Sequence, residues 1–185
     1  MRVIAGKYKN RILKTVADNS VRPATDRVKG AIFNVMQSRV DWSVSNVLDL
    51  FAGSGSIGIE ALSRGAKRTV FVENSKNALQ FLKLNIDTIG ANADAQIVFG
   101  DVFKFLQTAY SKYDIVFADP PYALESLADL PTQIFKQDVV ARDGYLIIEH
   151  PTRYEFHPNS LWEIVVLKEY GHTSVSFFQH RKNDQ

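Results

Sequence analysis

Cysteine is absent from this chain of 185 residues. Its absence excludes disulfides, thiolate metal sites and a cysteine nucleophile. Long apolar runs are absent too, and nothing approaches the roughly 20 residues that a membrane-spanning helix needs. The opening residues, Met1-Arg2-Val3-Ile4-Ala5-Gly6, lack the apolar stretch of a secretory signal, so a cytoplasmic protein is expected. Histidine is scarce, and His150, His157, His172 and His180 show no ligand spacing such as two on successive helical turns; no metal is expected. What is present, 45% hydrophobic and 23% charged residues, suits one ordinary globular domain with its own core.

The formal net charge is only +2, but it is unevenly placed. Residues 1–29 carry eight basic side chains (Arg2, Lys7, Lys9, Arg11, Lys14, Arg22, Arg27, Lys29) against two acids (Asp18, Asp26), so this stretch holds +6 and the remainder −4. A basic arm on a mildly acidic body points to a polyanionic partner, because Lys and Arg make most phosphate contacts. A plain solvated surface is the alternative.

Residues 1–15 alternate polar and apolar around a turn at Lys9-Asn10, which predicts a hairpin. A loop through residues 16–24 ends at Arg22-Pro23, and Thr25 is a candidate N-cap for a helix with Val28, Ala31, Ile32, Val35 and Met36 on one stripe. From Val44 onward strands and helices alternate. The strands are Val47–Leu50, Thr69–Val72, Gln96–Phe99, Asp114–Ala118 and Tyr145–Ile148, with helices through Ile59–Leu62, Ala78–Leu84, Val102–Tyr110 and residues 124–137. That order predicts an α/β fold, a parallel sheet covered on both faces. Glu163–Leu167 and Ser174–Phe178, joined at Gly171-His172, predict an antiparallel hairpin at the sheet edge.

Ligands bind such sheets beyond the carboxyl ends of the strands, and four strands here lead into acids: Asp49, Glu73, Asp101 and Asp119. The loop Phe51-Ala52-Gly53-Ser54-Gly55-Ser56-Ile57-Gly58 contains GxGxxG between a strand and a helix. Its glycines let backbone N–H groups approach a ligand, and the helix N-terminus favours negative charge. A dinucleotide pyrophosphate or the carboxylate of S-adenosylmethionine fits equally. Glu73, followed by Asn74, stands where an acid binds ribose hydroxyls. Asp101, followed by Val102, can accept from an adenine amino group or cap the next helix.

Asp119-Pro120-Pro121-Tyr122 separates the possibilities. An exocyclic amine of a base is a poor nucleophile because its lone pair is delocalised into the ring. Acceptors for its hydrogens, here Asp119 and the Pro120 carbonyl, free that lone pair to face a sulfonium methyl. The prolines fix φ and hold the carbonyl direction, and Tyr122 offers a face for an unstacked base. A proline-rich turn with a packing aromatic is the plainer reading.

Together these residues resemble the class I amino-methyltransferases. Arg22-Pro23-Ala24-Thr25-Asp26-Arg27-Val28 with Ile32-Phe33-Asn34 resembles the segment before the cofactor domain in the bacterial small-subunit (16S) rRNA guanine-N2 methyltransferases. Ala5-Gly6 with Arg11-Ile12-Leu13, and Tyr170-Gly171 with Ser176-Phe177-Phe178, resemble the first and last hairpins of that family. The resemblance implies a doubly wound, mostly parallel seven-stranded sheet of Rossmann-like form, its last strand antiparallel, behind a small N-terminal hairpin. It implies residues 1–24 as a basic RNA-contacting hairpin and loop and 25–185 as the S-adenosylmethionine-dependent domain. The cofactor motif carries onto Asp49, the loop Phe51, Ala52, Gly53, Ser54 and Gly55, Glu73 with Asn74, and Asp101 with Val102; the catalytic motif carries onto Asp119, Pro120, Pro121 and Tyr122. Arg22 and Thr25 are expected to border the pocket, and Arg2, Lys7, Lys9, Arg11, Arg22 and Arg27 to meet the RNA. The implied substrate is 16S rRNA in a small-subunit assembly intermediate.

Three other readings remain. An adenine-N6 methyltransferase uses the same tetrapeptide. An NAD-dependent oxidoreductase explains the glycines and Glu73 but leaves Asp119-Pro120-Pro121-Tyr122 without a task. A non-catalytic RNA-binding module leaves the strand-end acids unexplained.

Overall fold

The computed structural model describes residues 1–15, 26–121, 123–152, 154–157 and 159–182. Arg22, Thr25 and Tyr122 lie outside the described residues. Strands β1 (Asn46–Leu50), β2 (Arg68–Glu73), β3 (Ala95–Phe99), β4 (Tyr113–Ala118), β5 (Val140–Pro151), β6 (Trp162–Tyr170) and β7 (Thr173–His180) form one seven-stranded sheet in the order β3-β2-β1-β4-β5-β7-β6. The pairs among β1 to β5 are parallel, and β7 runs antiparallel between β5 and β6. Helices α1 (Asp26–Met36), α2 (Ser56–Ser63), α3 (Lys76–Ile89), α4 (Val102–Thr108) and α5 (Leu130–Lys136) connect and cover it.

The period-2 geometry of a strand sorts the core. Leu48, Leu50, Val70, Val72, Val116 and Ala118 face one layer with α4 and α5 residues such as Val102, Leu106 and Ile134. Val47, Ile115, Phe117 and Ile147 face the other, against Val28, Ile32, Phe33 and Met36 of α1 and Ile57 and Ala61 of α2. Asp49, two residues after Val47, shares its face, so its carboxyl is directed into the α1–α2 side, and it is only 3% exposed. Strand order reverses between β1 and β4, where Leu50 is the register partner of Ala118. The chain therefore diverges there, with the glycine loop leaving one strand and Asp119 leaving the next.

Several expectations are corrected. The N-terminal pairing is short: an antiparallel bridge joins Arg2 to Ile12, the Val3 N–H donates to the Arg11 carbonyl at 2.9 Å, the Asn10 N–H to the Val3 carbonyl at 2.9 Å and the Leu13 N–H to the Met1 carbonyl at 3.0 Å, around a turn closed by Arg11 N–H to the Tyr8 carbonyl, with Asn10 at φ 67°. The paired arm does not stand free: it buries Val3, Tyr8 and Leu13 against Ile59, Leu62, Phe71 and Leu82. The helix expected over 124–137 begins with a 3-10 turn at Leu127–Asp129 and becomes α-helical only at Leu130. Pro131 explains this, since proline fits the first helical turn and not a helix interior. β5 is longer than expected. Lys29, counted above with the basic arm, is fully buried, whereas Arg2, Lys7, Lys9, Arg11, Lys14 and Arg27 are exposed. No helix among the described residues is long and apolar enough to cross a membrane.

Candidate methyl-donor and amino-group site

The glycine loop owes its path to three residues at positive φ: Phe51 (58°), Gly53 (57°) and Gly55 (85°). Phe51 is the costly one, because an aromatic side chain rarely adopts this conformation and such outliers gather at functional sites. Its ring sits 6.4 Å from that of Phe103, edge to face. The loop then turns into α2, whose N-cap is Gly55 with no side-chain cap. The first N–H groups of the helix are thus left to other acceptors. Asp49 supplies one, taking the Gly58 N–H at 2.8 Å. A side chain on Gly58 would overlap Phe71 and stand 2.9 Å from the Asp49 carboxylate, so α2 can lie this close to β1 and β2 only with glycine there.

Glu73 ends β2 with both oxygens engaged: Gly53 N–H donates to Oε2 at 2.7 Å and Ser75 N–H to Oε1 at 2.6 Å. One carboxylate thereby joins the glycine loop to the entry of α3, and each oxygen retains a lone pair for a ligand hydroxyl. The Gly100 N–H donates to the Glu73 carbonyl at 3.0 Å, which places Asp101 beside Glu73. Asp101 caps α4, accepting the Lys104 N–H at 3.0 Å, with Val102 buried and Asn74 exposed next to Glu73. Ala52 is buried, while Gly53 and Ser54 are partly open.

Asp119 leaves the end of β4, half-buried, with Pro120 buried and Pro121 exposed. Burial pushes its carboxyl up to about 7. Burial also holds Asp49 well above the usual carboxylate range, opposed by the Gly58 hydrogen bond and reinforced by the charges of Asp119 and Glu73. The charges of Asp119 and Glu73 therefore reach Asp49 across the strand-order reversal. A polar cavity of about 330 Å³ lies at the other end of the strands, lined by Asn46, Arg68, Gln96 and Tyr113 among others, away from these acids. No group of three or more His, Asp or Glu able to hold a metal occurs among the described residues.

Sequence reading missed four buried polar side chains behind the loop: Lys29, Ser56, Glu60 and Asn85. A signal was available. Lys29 shares a helical stripe with Ile32, Phe33 and Met36, and Asn85 shares one with Leu82, Ile86 and Ile89. A polar residue in an apolar stripe announces a buried partner.

Residues 1–179 match the family described as "Conserved hypothetical protein 95". The chain is 38% identical over 186 residues to the Bacillus subtilis (strain 168) protein named "Putative rRNA methyltransferase YlbH", covering 98% of this chain and 100% of that one. It is 29% identical over 183 residues to "Ribosomal RNA small subunit methyltransferase D" of Haemophilus influenzae, covering 97% and 94%. Among solved structures, "Putative methyltransferase yhhF from Escherichia coli" superposes with a TM-score of 0.85 at 27% identity, covering 99% of both chains. The chain thus belongs to the conserved hypothetical protein 95 family, alongside relatives named as ribosomal RNA methyltransferases.

Proposed function

We propose that this protein transfers a methyl group from S-adenosylmethionine to the exocyclic N2 of a guanine in 16S rRNA by direct in-line displacement. The observation that carries it is Asp119, a half-buried carboxyl at the strand-order reversal, followed by two prolines and next to the glycine loop. The loop fits the methyl donor: its backbone is open at Gly53, where an added side-chain atom would meet nothing within 4 Å.

When bound, the methyl donor supplies an electrophilic carbon with a thioether as leaving group. The protein's part is then positioning and electrostatics. Phe51, Ala52, Gly53, Ser54 and Gly55 receive the amino-acid portion at the helix N-terminus. Asp49 acts through the Gly58 N–H, holding that turn in place. Glu73 and Asn74 receive the ribose; Asp101 and Val102 receive the adenine. Asp119 and the Pro120 carbonyl accept the amino hydrogens of the target base, and Asp119 or water takes the proton released as the N–C bond forms. Tyr122 supplies the stacking face, and Thr25 and Arg22 border the pocket. Residues 1–24, with Arg2, Lys7, Lys9, Arg11, Arg22 and Arg27, contact the RNA of a small-subunit assembly intermediate, and residues 25–185 carry the chemistry. The relatives' names, which specify ribosomal RNA and its small subunit, support the choice of substrate.

The test is tritiated methyl transfer to undermethylated 30S particles and to naked 16S rRNA, followed by identification of the labelled nucleoside. N2-methylguanosine is expected. N6-methyladenosine would overturn the base assignment and leave the fold assignment standing. Calorimetric binding of NAD in place of S-adenosylhomocysteine would overturn the methyl-transfer reading.

A further inference from the structure

Two buried side chains join the N-terminal arm to the glycine loop. Asn85 on α3 donates from Nδ2 to the carbonyls of Lys14 and Ser54, each at 2.9 Å, and accepts the Lys14 N–H at Oδ1, also at 2.9 Å. Lys29 on α1 donates from Nζ to the Arg2 carbonyl at 2.6 Å and to Ser56 Oγ at 3.1 Å. Ser54 and Ser56 flank Gly55, the left-handed N-cap of α2. Arg2 and Lys14, near the two ends of the described arm, are thus each tied to one side of the same glycine through a single side chain.

The rest of the arm is fastened to α2. Glu60, fully buried, accepts the Ile4 N–H at 2.7 Å and the Ala5 N–H at 3.0 Å, and pairs with Arg64 Nε at 2.9 Å and Lys29 Nζ at 4.0 Å. Ser63 accepts the Lys7 N–H at its carbonyl and the Tyr8 N–H at its hydroxyl. Between these anchors Lys7, Lys9 and Arg11 stand exposed. Apolar side chains of similar volume often serve stability as well as a buried charge does. A buried amide with three directed bonds does something they do not, which is to hold two separate backbone segments in one relative geometry.

We propose that Asn85 and Lys29 are positioning residues of the glycine loop: they transmit the seating of the arm to Ser54 and Ser56, so that RNA on the arm and the methyl donor on the loop bind with positive coupling. This rests on the reading that the arm meets RNA and the loop meets the methyl donor. A ligand that steadies the arm steadies the loop through these bonds, so less freedom is left for the second ligand to remove. The coupling is reciprocal.

The test is equilibrium dialysis of tritiated S-adenosylhomocysteine against the full chain, alone and with saturating naked 16S rRNA. Wild type is expected to bind at least threefold more tightly with RNA present. Asn85→Asp and Lys29→Met are expected to bind at least fivefold more weakly without RNA and to lose the RNA effect, while filter-binding affinity for the RNA changes less than twofold. Ser56→Ala removes only the loop end of the Lys29 link. It is expected to keep the wild-type melting temperature within about 2 °C and to lose at least half of the RNA effect, a loss that a purely structural role would not produce. The proposal is overturned by a wild type indifferent to RNA, or by folded variants that keep both affinities and the RNA effect within twofold. A Lys7, Lys9, Arg11→Gln triple variant separates the two levels. Unchanged RNA affinity there overturns the arm reading and the coupling together. Lost RNA affinity with no wild-type RNA effect on S-adenosylhomocysteine overturns the coupling alone.

Discussion

Burial raises the Asp49 carboxyl well above its usual range, and the charge of Asp119, leaving the adjacent parallel strand, raises it further. The two acids have different tasks. Asp49 is spoken for by the Gly58 N–H, whereas Asp119 is the group that faces a titration in use. A carboxyl held at about 7 accepts an amino hydrogen well only when ionised. The methyl-transfer kcat/KM is therefore expected to fall about tenfold per pH unit below pH 7. A profile flat from pH 5.5 to 8 would remove Asp119 as the acceptor.

The same shift predicts stability. An acid whose folded pKa exceeds its unfolded value of 3.8 binds more protons when folded across the window from 3.8 to about 7. Stability is lost as pH rises through that window. Asp119→Asn is therefore expected to be more stable than wild type at pH 8, by about 1–2 kcal/mol after allowing for partial exposure, and equal to it near pH 4. Urea melts at both pH values check this; a variant less stable at pH 8 contradicts it. Turnover by Asp119→Asn should fall at least a hundredfold while S-adenosylhomocysteine affinity stays within about threefold.

Glu73 closes the glycine loop by accepting from Gly53 and Ser75 together. In Glu73→Gln one acceptor becomes an NH2, which must face one of these N–H groups donor to donor. Losing a charged hydrogen bond costs about 1.5–3 kcal/mol. Affinity for S-adenosylhomocysteine is expected to drop about 10- to 100-fold by calorimetry. A drop of less than threefold would mean that the loop holds its shape without the carboxylate.

The strand-end acids were legible because their cause is local. Each follows an apolar run of strand length, and in parallel sheets those ends converge. The order α1 to β7 was legible for the same reason, since helical and strand periods alternate along the chain. The contacts among distant residues were not. Glu60 meets Ile4 across 56 residues and Asn85 meets Lys14 across 71, and no local pattern encodes which backbone a buried polar group will find. The arm illustrates the limit. Its alternation reads as a hairpin and its ends do pair, but a two-stranded ladder is marginal alone, and the burial of Val3, Tyr8 and Leu13 beneath α2 and α3 that holds it has no local signal.

Gly30 sits inside α1, where glycine costs up to about 1 kcal/mol relative to alanine. A side-chain atom added there would meet only Ile4 Cδ1, at 3.7 Å, an ordinary contact. Gly30→Ala is expected to stabilise the protein by about 0.5–1 kcal/mol and to raise its Tm by about 1–4 °C, leaving methyl transfer unchanged. A lower Tm in calorimetry would mean that the arm cannot give way at Ile4.

The exposed cations of the arm predict how binding responds to salt. Phosphate contacts release counterions, so log K falls linearly with log salt, steepening with each contact. Lys7, Lys9 and Arg11 are exposed on one turn of the arm, with Lys7 Nζ 5.0 Å from the Tyr8 ring centre. Replacing each by Gln is expected to reduce the magnitude of that slope for 16S rRNA by about 0.7–1. Lys112 carries the same charge but precedes β4, outside the arm, and is paired 2.9 Å from Asp138, so Lys112→Gln should leave the slope unchanged. Filter binding from 50 to 300 mM salt measures both. Equal slopes for the Lys9 and Lys112 variants would place the RNA elsewhere on the molecule, because a phosphate contact made by the arm cannot be lost without its counterion being lost from the slope.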